Sequence, residues 1–210
     1  MLLFPRSLKD YLKQSYVSIT FLIINLIVYL NLTRQAPLNF QHFKAFNALY
    51  AEDVLKGEYF RLIGWQFIHS NFLQIFFTIL ALLIIGSNLE KLMGPIRFAA
   101  FYLLSGILSG AVIVYMHASG NPSNSILFGA APSIAGAIAG LLFIQIRRPR
   151  WFDNTDVRVM WLFVAAYLIV IFGGLVLNLS PSISLVIYTS GLILGAILSF
   201  VLMPKERYDN

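Results

Sequence analysis

FAAFYLLSGILSGAVIVYMH, Phe98–His117, runs for 20 residues without one Asp, Glu, Lys or Arg. A helix crossing a hydrocarbon core about 30 Å thick needs about 20 mostly apolar residues. In hydrocarbon each backbone N–H and C=O must find a partner within the chain, so a lone apolar segment of this length reads as a helix. Five further stretches are of the same kind: Tyr16–Leu32, Phe67–Gly86, Ile126–Ile146, Val159–Leu179 and Ile183–Met203. The expectation is an all-α membrane protein with six transmembrane helices. Its membrane domain would cover residues 16–203, between an N-terminal segment, 1–15, and a tail, 204–210. Composition agrees, since 59% of the 210 residues are hydrophobic and 11% are charged, against about 25% charged in soluble domains. The first stretch lacks a small-residue cleavage site, which argues for a retained span over a signal peptide.

The basic residues give an orientation. With the N-terminus in the cytoplasm, the inner segments hold Arg6, Lys9, Lys13, Lys91, Arg97, Arg147, Arg148, Arg150, Arg158, Lys205 and Arg207. The outer segments hold Arg34, Lys44, Lys56 and Arg61, all in one connection. Positive charge concentrates on the cytoplasmic side of membrane proteins, so both termini are expected there. The net charge of +6 is then a topology signal. It is not a nucleic-acid patch, because the basic residues flank spans instead of lining one groove.

Several chemistries are excluded or disfavoured. There is no cysteine, hence no disulfide and no thiolate. His42, His69 and His117 lack metal-ligand spacing, so no metal and no cofactor is expected. Small-molecule transporters mark their pathways with ionisable residues inside the membrane, and no such residue lies well inside a span here. Small residues recur four apart at Gly106–Gly110, Gly136–Gly140 and Gly191–Gly195, a spacing that lets helix backbones approach closely in lipid.

Residues Thr33–Trp65 form a long connection between the first two spans. Connections of that length usually carry structure or function of their own. Phe40, Phe43, Phe46, Leu49 and Tyr50 fall at helical spacing, which suits an amphipathic segment lying at the membrane surface.

Four runs carry a resemblance: Gly57-Glu58-Tyr59-Phe60-Arg61-Leu62-Ile63, Phe67-Ile68-His69, Gly86-Ser87-Asn88-Leu89-Glu90-Lys91-Leu92-Met93-Gly94, and Tyr102-Leu103-Leu104-Ser105-Gly106. Over about Gly57 to Gly195 the chain resembles the rhomboid intramembrane serine proteases. The resemblance implies a six-helix rhomboid-like bundle with a long first extracytoplasmic loop, in a cell membrane such as the bacterial plasma membrane. It also implies that Arg61 and Glu90 support the fold, together with the helix-packing Gly136, Gly191 and Gly195.

The same resemblance locates where family chemistry would reside. The family opens its fourth helix with Gly-x-Ser, and here the run is Gly129-Ala130-Ala131-Pro132-Ser133, which puts Ala131 at the nucleophile position. The family base comes from the sixth helix, where this chain has Tyr188. A phenol, with a pKa near 10, is a poor base at neutral pH. Oxyanion donors would come from the second helix, where the series reads His69, Gln74 and Thr78. Ser133 lies two residues past the nucleophile position, which turns its side chain by about 200° on a helix.

The chain is therefore expected to be a pseudoprotease, with no catalytic residues, that binds transmembrane helices of client proteins within the lipid bilayer. The gate for such helices would involve Phe77, Phe172 and Ser190. The alternatives are an intramembrane serine endopeptidase of unconventional or residual activity, and a small-molecule transporter.

Overall fold

The computed structural model describes residues 7–34, 40–120, 126–149, 157–159, 161–162, 164–166, 169 and 182–203. Within them α1 (Leu8–Gln14) and α2 (Tyr16–Arg34) are followed by three short helices, α3 (Phe40–Ala45), α4 (Ala51–Leu55) and α5 (Arg61–Gly64). A 3-10 turn at Trp65–Phe67 leads to α6 (Phe72–Ala81), which continues through a π-helical turn, Leu82–Gly86, into α7 (Ser87–Met93). Next come α8 (Pro95–Ala118), α9 (Ala131–Arg147) and α10 (Ser182–Leu202). Four helical segments among the described residues are long and apolar enough to cross a membrane: Tyr16–Arg34, Phe72–Met93, Pro95–Ala118 and Leu185–Leu202. Helix α9 has 17 residues and is shorter than these. The stretch expected at Val159–Leu179 falls largely outside the described residues, although those described between 157 and 169 are helical.

Two span boundaries differ from the hydropathy reading, each for a local reason. The second span starts at Phe72 instead of Phe67, because the Asn71 side chain accepts the backbone N–H of Gln74 at 2.9 Å. That capping satisfies a donor the first helical turn leaves open. The fourth starts at Ala131 instead of Ile126, because Leu127 is held in an isolated antiparallel bridge with Leu49, N–O 2.9 Å in both directions.

Helix α9 is the central element. Every residue from Pro132 to Leu141 is buried, and α8 and α10 pack against it. The core beneath contains Phe21, Leu82, Ile85, Leu89, Phe98, Phe101, Tyr102, Ile134 and Ile138, with Phe21 stacked on Tyr102 at 4.8 Å between centroids. Gly94, at φ 86°, makes the sharp turn between α7 and α8. Only a residue without a Cβ adopts that conformation at low cost. Pro95 then opens α8, where its missing N–H is not needed.

The long connection is folded, but not as one amphipathic surface helix. Helix α3 ends at Ala45 and the chain reverses at Asn47, φ 66°. Phe43 stacks on Phe128 at 4.6 Å, and Phe46 packs against the cluster of Leu32, Ala48 and Ile68. The Phe43 ring is taken up by that stack, while Phe46 stays half-buried at the edge of its cluster.

Candidate functional site

The N-terminus of α9 is built by the bend that precedes it. Gly129 has φ 113°, and its N–H donates to the Trp65 carbonyl at 2.8 Å. Ala131 is the first residue of the helix and is half-buried. Ser133 is fully buried and points elsewhere, its hydroxyl donating to Gln66 Oε1 at 2.9 Å.

The second-helix series gathers beside this bend. Gln74 Oε1 accepts the Ser70 N–H at 2.9 Å, and Gln74 Nε2 donates to the Phe128 carbonyl at 3.4 Å. A Cβ at position 129 would stand 2.5 Å from Gln74 Nε2, so the Gln74 amide occupies the room that Gly129 leaves. Its oxygen and one of its two N–H groups are taken by the two loops they join, which turns the amide toward the scaffold.

His69 is fully buried, with Nε2 3.0 Å from Thr78 Oγ1 and Nδ1 3.3 Å from the Phe67 carbonyl. Burial pushes its pKa down to about 4, so the ring is neutral at pH 7 and carries a single N–H. If Nδ1 holds that proton, it donates to Phe67 and the Thr78 hydroxyl donates to Nε2. If Nε2 holds it, Thr78 accepts and its hydroxyl donates to the Gln74 carbonyl, 3.0 Å away. In both tautomers the imidazole and hydroxyl bond each other, and the one with the proton on Nδ1 also gives the Phe67 carbonyl a donor. His69 thus belongs to Thr78, which sequence spacing alone does not reveal.

Tyr188 is half-buried on α10. Near it α10 comes against the start of α9 without intervening side chains: a Cβ at Gly191 would lie 2.5 Å from the Pro132 carbonyl oxygen, and one at Gly195 would overlap Gly136 Cα. A Cβ at Gly136 would in turn be 2.8 Å from Ser105 Oγ. The Ser190 hydroxyl donates to the Ile187 carbonyl at 2.9 Å, within its own helix. Phe77 is half-buried on α6, edge-on to Phe76 at 5.7 Å. Phe172 lies outside the described residues.

Two buried charges hold the frame. Arg61 donates from Nη1 to the Lys44 and Ala48 carbonyls at 2.8 and 3.0 Å, and from Nε to Glu58 at 2.7 Å. Its Nη2 lies 3.4 Å from Asp53, which also pairs with Lys44 at 3.0 Å. One planar fork therefore gathers the connection between the first two spans. Glu90 accepts the N–H groups of Val17 and Ser18 and the Ser18 hydroxyl, closing the N-terminus of α2. Sequence reasoning missed Gln66, which receives Ser133, donates to the Leu62 and Leu103 carbonyls and fills the space that Gly106 leaves. The only trace of it in the sequence is the glycine, and glycine spacing alone does not point to the loop residue that occupies the gap. Among the described residues, no three His, Asp or Glu side chains converge in a way that could hold a metal ion.

The comparisons converge on one family. The family model for the rhomboid domain matches residues 56–205. RHOMBOID-like protein 5 of Arabidopsis thaliana is 28% identical over 159 residues, 74% of this chain and 48% of that protein. Rhomboid protease GluP of Bacillus subtilis is 30% identical over 111 residues, 53% of this chain and 21% of its own. Inactive RHOMBOID-like protein 8 of Arabidopsis thaliana is 29% identical over 84 residues, 39% of this chain and 24% of its own. The chain thus spans about half or less of the length of these relatives.

Proposed function

Because the chain belongs to the rhomboid family, we propose that it is a non-cleaving member, a six-span protein that holds transmembrane helices of client proteins laterally and releases them intact. The observation that carries this reading is the start of α9. A methyl group stands at Ala131, where a nucleophile would be required, and the nearest hydroxyl on that helix, Ser133, is committed to Gln66. Acyl transfer needs a nucleophile within hydrogen-bond reach of a base and donors aimed at the developing oxyanion. Tyr188 supplies a phenol where a base is needed, and Gln74 has its amide turned to the scaffold. A relative named as inactive, matched over 39% of this chain, makes such a member plausible within the family.

A second reading, residual hydrolysis, draws on the hydroxyl–imidazole contact of Thr78 with His69 at 3.0 Å. It is the weaker one. His69 is 0% and Thr78 4% exposed, so a peptide carbonyl has no approach, and an imidazole whose pKa is about 4 is a weak general base.

Client binding is tested by a photoreactive side chain at Phe76 or Phe77 on α6, compared with the same probe at Leu26 on α2, which is 38% exposed. Specific membrane-spanning proteins captured from α6 and absent from the Leu26 control support lateral binding. Capture of lipid alone, or of the same proteins from both positions, removes it.

A further inference from the structure

A cavity of about 480 Å³ opens between α2 and the connection that follows it, walled by Ile24, Ile27, Val28 and Asn31 on one side and by Phe46 and Phe67 on the other. From these contacts we infer that the cavity seats one acyl chain of a phospholipid from the leaflet on that side, with the headgroup phosphate at Arg34. The inference rests on the chain being a multi-pass membrane protein and is independent of client binding.

The α2 wall is a single helix face, since residues three and four apart are neighbours. Along it the chemistry changes in one direction: three aliphatic side chains, then the amide of Asn31, then the guanidinium of Arg34 in the last turn. Ile24 to Asn31 spans about 10 Å of rise, and Arg34 lies about 5 Å further on. A phospholipid has the same order, hydrocarbon then ester then phosphate. The Asn31 Nδ2 group donates once, to the Ile27 carbonyl at 2.8 Å, which leaves its second N–H for an ester oxygen. Arg34 is exposed, and the ion pairs among the described residues do not include it. Ile24 and Ile27 remain 36% and 54% exposed, facing hydrocarbon that is present at that depth whatever else binds. A seated chain would brace Phe67, whose carbonyl lies against the ring of His69.

The test uses vesicles of phosphatidylcholine and phosphatidylglycerol carrying a phospholipid with a diazirine on its acyl chain, with adducts mapped by mass spectrometry. Adducts are expected on Phe46 and Phe67, beyond the annular labelling of Leu26 and Leu30. Ala45 lines the cavity and is exposed, so Ala45→Trp should abolish the cavity adducts and leave those on Leu26 unchanged. Arg34→Gln, a surface change that leaves packing intact, should lower them about fivefold, and a diacylglycerol probe without phosphate should show no such dependence on Arg34. Two results would each overturn the assignment: cavity labelling no greater than at Leu26, or labelling indifferent to Ala45→Trp and Arg34→Gln alike.

Discussion

Glu90 and Ser18 are joined twice: one carboxylate oxygen accepts both the Ser18 N–H, at 2.8 Å, and the Ser18 hydroxyl, at 2.7 Å. The other oxygen takes the Val17 N–H at 2.9 Å. Glu90 is 1% exposed, and a carboxylate at a helix N-terminus gains from both the open N–H groups and the helix dipole.

Removing that carboxylate leaves two buried donors of Ser18 and the half-buried N–H of Val17 without acceptors. Glu90→Ala is expected to destabilise the fold by at least about 2 kcal/mol and Ser18→Ala by about 1 kcal/mol. Reversible denaturant unfolding in bicelles measures both. Equal, near-zero effects would mean that the α1–α2 junction does not depend on Glu90.

Gly195 admits no side chain, because its Cβ would overlap the backbone of Gly136. Gly195→Ala should therefore cost about 1–3 kcal/mol, the range for overpacking a tight contact. In membranes such small-residue seams are where helices associate. Retention of full stability would show that α9 and α10 sit further apart than described.

Two buried serines should respond in opposite ways. Ser133 is bonded to Gln66, whereas Ser109 Oγ is buried with no hydrogen-bond partner. Ser133→Ala leaves Gln66 Oε1 unpaired and should cost about 1–2 kcal/mol, while Ser109→Ala removes an unsatisfied group and should be neutral or stabilising. The same unfolding assay separates them, and the reverse order would contradict the hydrogen-bond assignment at Ser133.

Hydropathy made the long helices readable, because a run such as Phe98–His117 has one environment in which it is stable. It failed where capping and pairing set the boundary. Ile126 and Leu127 are as apolar as the helix they precede, and nothing local to them announces that Leu49, far back in the chain, will hold Leu127 in a bridge. An Asn before an apolar helix is a capping signal, but the apolar residues ahead of Asn71 carry the hydropathy run past it. At the site, the identities of Ala131 and Tyr188 were readable from one chain. The role of Gln74 was not, because it depends on Gly129 having φ 113° and no Cβ.

The asymmetry of basic residues predicts which side the long connection faces. A cysteine placed at Tyr59, 67% exposed between α4 and α5, should react with an impermeant maleimide added to intact cells. A cysteine at Gln14, exposed at the end of α1, should react only after lysis. The absence of native cysteine keeps both signals clean, and the reverse pattern would invert the proposed topology.

The most direct test of the central claim is cleavage itself. The purified chain in liposomes, incubated with a helical transmembrane substrate and a serine-directed fluorophosphonate, is expected to leave the substrate intact and to take up no probe. Ala131→Ser with Tyr188→His should restore little, since Gln74 still has its amide bonded to Ser70 and Phe128. Robust cleavage by the unmodified chain, lost in Ser133→Ala or Thr78→Val, would contradict the account and identify a nucleophile among hydroxyls assigned here to structure.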